Sequence, residues 1–287
     1  MSELLIPIFV LSLDRVPDRW QALSAQLDAL GLSGERIAAI DRLAAGADRL
    51  AAEFAAGRRD RDYPATLGDI CCSLTHQRLW RRIAAMSAGA VIVLEDDARL
   101  SAAFAEFAQS DLGALMRRHG IGALKLEHWP GGERSRRHPI GQKLADLPFG
   151  GGAVLYRQAA TFLGTCAYAI TPAAAGRLVA AHPRMGIPVD HFLFSRSAGR
   201  GFPLVAPAFV NPAPVLHDFP THGSDILAQR IASGISNGRP TLRRRLREAV
   251  LRRHLVRGLR KGRVERVDMR WSGEAGAAPS QGDDGAP

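Results

Sequence analysis

Cysteine is scarce in this chain. Its 287 residues contain three, Cys71, Cys72 and Cys166, too few for a disulfide scaffold. Cys71 and Cys72 are adjacent and suit no usual bridge, and no spacing typical of a zinc site occurs. The simplest expectation is free thiols in a reducing compartment. Long apolar runs are missing as well: none approaches the roughly 20 residues needed to span a bilayer. The opening Met1-Ser2-Glu3 is not basic and no small-residue cleavage site follows it, so the reading is of no signal peptide and a cytoplasmic location. No internal repeat is visible.

The bulk of the chain is ordinary for a globular protein, with 46% hydrophobic and 23% charged residues. Charge, however, is unevenly spread. The net charge is +10, and Arg239 to Arg270 hold 13 Lys or Arg against the three acids Glu248, Glu265 and Asp268, so this stretch carries the whole excess. The rest is near neutral, and whatever needs positive charge uses the C-terminal part.

Leu4–Leu13 is apolar without alternation, the pattern of a strand buried on both faces. Pro17 suits the first turn of a helix whose Trp20, Leu23, Leu27 and Leu30 recur at helical spacing, with Gly31 as its stop. Arg36–Ile40 reads as a second strand. Thr66 to Asp69 has capping-box spacing and starts a helix predicted to run to about Met86. Val91–Leu94, Ile121–Glu127, Thr165–Ile170 and Leu204–Val210 read as strands. Thr171-Pro172 caps a further helix. Gly131–Gly152, rich in Gly, Pro, Arg and His, reads as a long loop. Alternating strands and helices predict an α/β domain with a mostly parallel central sheet. The expected division is a body over 1–238, a basic helical tail over 239–271 and a disordered segment over 272–287.

The sharpest chemical signal is Glu95-Asp96-Asp97 at the end of a buried strand. In open α/β sheets, ligands bind beyond the carboxyl ends of strands. Three adjacent acids repel one another unless a cation sits among them; the alternative is a solvated acidic strand end. Glu95 and Asp97 are two apart and share a side of an extended chain. His76 lies on the helical face of Cys72, Leu79, Ile83 and Met86, which fits a core histidine or a general base. Asp190, in Pro188-Val189-Asp190-His191, reads as a helix cap. His217 and His222 fit a metal ligand or a polar loop equally well.

Leu11–Arg19, Asp69–His76 with Trp80, and Val93–Asp97 occur in the order and spacing of the landmark blocks of glycosyltransferase family 25, the lipooligosaccharide-biosynthesis enzymes. Thr165–Ile170 and Pro188–His191 resemble its later blocks, and the likeness covers roughly residues 4 to 226. The resemblance implies a GT-A-like, Rossmann-type fold, inverting transfer, a UDP-galactose or UDP-glucose donor and manganese. By the same likeness, Leu11, Ser12, Leu13 and Asp14, with Arg15 and Arg19, cradle the nucleotide. Glu95, Asp96 and Asp97 stand for the family's acidic motif, with Asp97, Glu95 and His217 on the metal. His76 belongs to its Ser-His block, and Asp190, following the acceptor-side strand, is the expected base. Two departures are plain: Cys71 stands where the family commonly has Gly, and Thr75 where it has Ser.

In the basic segment Leu242, Leu246, Ala249, Val250 and Val256 share one helical arc, while Leu251, Leu255 and Leu259 do not. A solvated helix, docking on the anionic inner face of a membrane and nucleic-acid binding are the three readings. The implied acceptor, a lipid-linked glycan, favours the membrane; no aromatic residue interleaves the basic run before Trp271, which disfavours single-stranded nucleic acid. The competing functions are an inactive glycosyltransferase-like protein and a basic membrane- or nucleic-acid-binding adaptor.

Overall fold

The computed structural model describes residues 6–44, 46–55, 62–131, 134–218, 230 and 240–274. The chain opens with β1 (Ile8–Ser12), α1 (Pro17–Ala29), β2 (Glu35–Ala38) and α2 (Ala47–Ala55). Helix α3 (Leu67–Ala84) leads into β3 (Val91–Glu95), then β4 (Ala98–Leu100), α4 (Ala103–Gln109) and α5 (Leu112–Arg118). Next come β5 (Ala123–Lys125), β6 (Glu127–His128), α6 (Arg134–Arg137), β7 (Ile140–Asp146), β8 (Val154–Gln158) and β9 (Ala167–Ile170). Helices α7 (Pro172–Ala181), α8 (Val189–Phe194) and α9 (Phe202–Val205) precede β10 (Ala208–Asn211) and β11 (Val215–His217). Helix α10 (Leu242–Arg260) and β12 (Glu265–Arg266) follow.

Nine strands form one sheet in the order β12-β7-β8-β10-β5-β9-β3-β1-β2. Burial explains why β1 and β3 lack alternation. Ile8, Val10, Ile92 and Leu94 pack on one face with Leu23 and Leu27 of α1 and Phe104 and Phe107 of α4. Phe9, Leu11, Val91 and Val93 pack on the other with Trp80 and Ile83 of α3 and Leu178 of α7. Both faces are covered by helices, so every position before the last residue of each strand, Ser12 and Glu95, is apolar.

The sheet is mixed, which corrects the expectation of a mostly parallel one. β1 runs parallel to β2 and to β3, and β10 to β5. β9 is inserted antiparallel between β3 and β5, and the β7–β8 hairpin and β12 continue antiparallel at the far edge. A second sheet, β4-β11-β6, stands beside the first. Half of the expected 131–152 loop is in fact α6 and β7; the hairpin turns at Gly150, Gly151 and Gly152, all with φ between 65° and 75°, a conformation glycine adopts without strain. β7 is only partly covered, so it lacks the apolar period that identifies a strand. The expected strand over Leu204–Val210 begins as α9 and becomes a strand only at Ala208.

Three helix starts follow their sequence signals. Thr66 accepts from the Asp69 amide while the Asp69 carboxylate accepts from the Thr66 amide, a complete capping box on α3. Thr171 caps α7 through the Ala174 amide, and Pro17 opens α1. Each side-chain cap stabilises its helix by about 1 kcal/mol. The basic helix α10 is present, but the chain does not trail off after it. β12 pairs with β7, Val267 and Met269 are buried with Phe162 and Phe209, and the Ser272 hydroxyl bonds to Ser101 and to the Ala213 carbonyl. Ser272–Glu274 thus form an ordered 3-10 turn rather than the start of a disordered segment; residues 275–287, and the expected boundary at 238, lie outside the described residues.

Candidate active site

A cleft of about 520 Å³ opens at the carboxyl ends of β1 and β3. It collects Leu11, Leu13, Arg15, Arg19, His76, Glu95, Asp96, Asp97, Asp190 and His217, residues that span more than 200 positions of sequence. Two expected residues stand apart. Ser12 is buried beneath the strand end, and Asp14 turns outward to pair with Arg36 at 2.6 Å. His222 lies outside the described residues.

The acidic triplet divides at the end of β3. Glu95 is the last strand residue and Asp96 and Asp97 occupy a turn, so the strand geometry expected to put Glu95 and Asp97 together does not hold. Glu95 points to the α3 side, where its Oε1 accepts from Thr165 Oγ1 at 2.6 Å and meets His76 Nε2 at 3.2 Å. Asp97 meets His217 Nε2 at 2.9 Å.

His76 is fully buried, yet its surroundings are polar: Nδ1 lies 2.9 Å from the Tyr168 hydroxyl, which also accepts from Trp80 Nε1 at 2.9 Å. A carboxylate only accepts, so His76 Nε2 donates to Glu95. In a neutral ring Nδ1 then accepts, and Tyr168 donates to it. Burial pushes the Tyr168 phenol well up, which keeps the proton this chain requires. The histidine is neither an apolar-core residue nor a base with an open nitrogen; it orients Glu95.

The Asp97–His217 pair is more deeply charged. Burial opposes ionisation of both, but each holds the other charged: His217 and Arg19 draw Asp97 below its ordinary value, and Asp97 raises His217. The Trp129 ring stands edge-on to His217 at 4.5 Å. Asp96, by contrast, is raised by burial and by the neighbouring Asp97.

A divalent cation fits this corner. One oxygen each of Asp96 and Asp97 is buried with no hydrogen bond among the described residues, a costly arrangement for adjacent carboxylates. A carboxylate oxygen of Asp97, a ring nitrogen of His217 and the sulfur of Cys166 lie within 4.8 Å of one another. Burial pushes the Cys166 thiol well up, so oxygen and nitrogen are the donors a hard cation would meet.

The opposite wall carries Asp190 on the first turn of α8. Its Oδ1 accepts from the His191 amide at 2.7 Å. Burial would raise it, but His191, Arg230 and Arg136 hold its carboxyl below the ordinary value and therefore ionised. On the β1 side of the cleft, Arg15 pairs with Asp41 at 3.1 Å and Arg19 lies 3.8 Å from Asp96.

Sequence reasoning missed several residues of the cleft. Asp69 is more than a cap: its Oδ1 accepts from Arg230 Nη2 at 2.5 Å and from Nε at 3.0 Å. Thr165 and Cys166, which the sequence places in a strand and a family block without a role, line the cleft. They are delivered by the buried Lys125, which donates to Glu127 at 2.5 Å and to the Gly164 carbonyl at 2.6 Å. Gly164 sits at φ +115°, and a Cβ there would collide with Glu127 Oε1. A lysine and a glutamate two apart inside a predicted buried strand was the available signal.

The sequence profile of glycosyltransferase family 25, described as LPS biosynthesis protein, matches residues 5–193. The chain belongs to glycosyltransferase family 25. The match runs from β1 into α8 and takes in His76, Glu95, Asp97 and Asp190, but stops short of His217 and α10. A glycosyltransferase 25 family member of Aedes aegypti is 34% identical over 102 residues, which cover 34% of this chain and 17% of that protein. An inactive glycosyltransferase 25 family member 3 of Homo sapiens is 32% identical over 192 residues, 65% of this chain and 31% of that protein. A family member of Anopheles gambiae is 28% identical over the same share. The aligned part is thus no more than about a third of the length of these curated relatives. Among the described residues no helix is long and apolar enough to cross a membrane.

Proposed function

We propose that this chain is an inverting glycosyltransferase of GT-A type that moves a hexose, galactose or glucose, from a UDP-sugar to a lipopolysaccharide-like glycan. The observation that carries the reading is the pair of buried, unbonded carboxylate oxygens on Asp96 and Asp97, beside His217 at the mouth of β3. They, with His217, would hold a divalent cation such as manganese, which when bound neutralises charge on a departing diphosphate. Arg15 and Arg19 supply cationic contacts for the phosphates from the β1 side. Glu95, fixed by His76 and Thr165, offers an acceptor to a donor hydroxyl.

Asp190 performs the proton transfer in this scheme. Held ionised, it accepts the proton of the acceptor hydroxyl as that oxygen bonds to the anomeric carbon and the bond to the diphosphate breaks. One displacement inverts the configuration. A second reading has a specific support, since the human relative is named inactive: the cleft would then bind nucleotide without transfer.

A thermal-melt panel with UDP, GDP, CMP and ADP, with and without manganese, tests the site. A ligand at about 100 times its dissociation constant adds roughly 2.7 kcal/mol. A shift seen only with UDP plus manganese and lost in Asp97→Ala is the expected result. No shift with any nucleotide would sink the proposal; a shift without release of UDP from UDP-galactose or UDP-glucose in the presence of acceptor would leave the inactive reading.

A further inference from the structure

Helix α10 is strongly cationic, with eight arginines and a single glutamate in 19 residues. It is fixed on the body at both ends. Thr241 bonds to Asp62 through its amide at 2.8 Å and its hydroxyl at 2.9 Å, Arg244 stacks over the Tyr63 ring at 4.5 Å, and Arg247 donates to the Ser197 carbonyl at 2.6 Å. Beyond its other end β12 joins the sheet.

That anchoring settles which face points where. Leu251, Leu255 and Leu259, the residues that spoil a single apolar arc, are half-buried and turned toward the body. The arc itself faces solvent: Leu242 is 70% exposed, Leu246 60%, Val250 52% and Val256 41%. At about 100° per residue, Arg253, Arg257 and Arg260 fall among these aliphatics. Aliphatic and guanidinium groups interleave on this outward face, so the helix would rest at headgroup level, its arginines on the phosphates and its exposed aliphatics covered by the surface between them.

We infer that the outward face of α10 is a docking surface for an anionic lipid bilayer. Charge complementarity selects the lipid, and the exposed aliphatics select a bilayer over a purely polar polyanion. The helix carries no aromatic residue, so it lacks the stacking platforms of a single-strand nucleic-acid surface. Its position adds a consequence. The Tyr63 ring beneath Arg244 lies 5.0 Å from that of His191, the neighbour of Asp190, so the docked helix borders the wall from which Asp190 faces the cleft. If the transferase reading holds, that wall receives a lipid-linked acceptor from the membrane beside it; the docking itself does not depend on that reading.

The full chain is sedimented with phosphatidylcholine vesicles containing one quarter phosphatidylglycerol, and with pure phosphatidylcholine, at fixed salt. Each arginine brought to an anionic surface strengthens partitioning about fivefold, so at least about a tenfold preference for the anionic vesicles is expected. Leu242→Ser/Leu246→Ser/Val250→Ser should weaken binding about tenfold or more through lost apolar burial, with the helix content and the nucleotide melt shift unchanged. Arg253→Gln/Arg257→Gln, which leaves the apolar arc in place, should weaken binding to the anionic vesicles by about 25-fold. Equal sedimentation with both vesicles overturns the inference. So does a triple-serine variant that binds vesicles and duplex DNA as the wild type does, which would assign the arginines to nucleic acid. Loss of the melt shift with docking intact would sink the transferase reading alone.

Discussion

Two histidine–carboxylate pairs stand a few residues apart at the end of one strand, and they differ in what closes them. In the inner pair, both ring nitrogens of His76 and the Oε1 of Glu95 are bonded: Tyr168 and Thr165 complete these hydrogen bonds and Trp80 backs the tyrosine. In the outer pair, Asp97 keeps a buried oxygen with no hydrogen bond, and so does Asp96 beside it. The same two residue types thus make a strut in one place and an open ligand set in the other. Neighbours decide the role, because a satisfied carboxylate is a structural acceptor whereas an unsatisfied buried one retains affinity for a cation.

The sharpest way to break this comparison is to neutralise each carboxylate. Asp97→Asn is expected to lower transfer by about a thousandfold, roughly 4 kcal/mol, by removing the charge that would hold a cation. At pH above the raised His217 value its melting temperature without metal should change little, while below it the loss of the partner charge lowers stability. Glu95→Ala should differ in kind: it removes the one oxygen that accepts from both His76 and Thr165, so stability falls and transfer falls less. Steady-state kinetics and melts on both variants decide; equal profiles for the two would erase the distinction between strut and ligand. Across the cleft, Asp190→Asn should cut transfer two to three orders of magnitude, about 3–4 kcal/mol, while nucleotide binding survives. Near-normal turnover in that variant would remove Asp190 as the base.

Both pairs hang on one segment, since Thr165 serves the inner and Cys166 borders the outer. Lys125 holds that segment through Glu127 and the Leu163 and Gly164 carbonyls. Lys125→Met should therefore destabilise the fold by about 3 kcal/mol, because it leaves Glu127 buried without its cation. Denaturant unfolding measures this. A loss below about 1 kcal/mol would mean that the pair is not the support described here.

How much of this was legible follows from how local each cause is. β1, β3, α1 and the capped starts of α3 and α7 could be read because two-sided burial and caps leave marks within a few residues. Glu95 and Asp97 could be placed at a strand end and Asp190 at a helix start for the same reason, and His76 on one face of α3. The pairing of Asp97 with His217 joins residues 120 positions apart; no local pattern at either end records it, and only the family resemblance set the two together. The mixed sheet escaped because β9 pairs with β3 and β5 through contacts that no strand's own pattern encodes. Arg230 on Asp69 is likewise a long-range choice, 161 positions apart. β7 and β12 failed for a different reason: a partly exposed edge strand needs no apolar period.

The smallest expected effect separates the outer pair from the other buried histidines by its sign. His128 and His191 are pushed below their ordinary value chiefly by burial. The unfolded chain then binds protons that the folded one refuses, so stability contributed by these residues is lost as pH falls below about 6.5. His217 is raised against its own burial by Asp97, so its contribution is present below about 6.5 and lost as pH climbs through its higher folded value. Melting temperature in EDTA should therefore fall modestly between pH 7 and pH 5, and less so in His128→Asn and His191→Asn. The His217→Asn variant should lose more stability at pH 6 than at pH 9. A wild-type melt that rises toward pH 5 would mean that the acid side is governed by the outer pair, and that the burial of His128 and His191 carries no protonation cost.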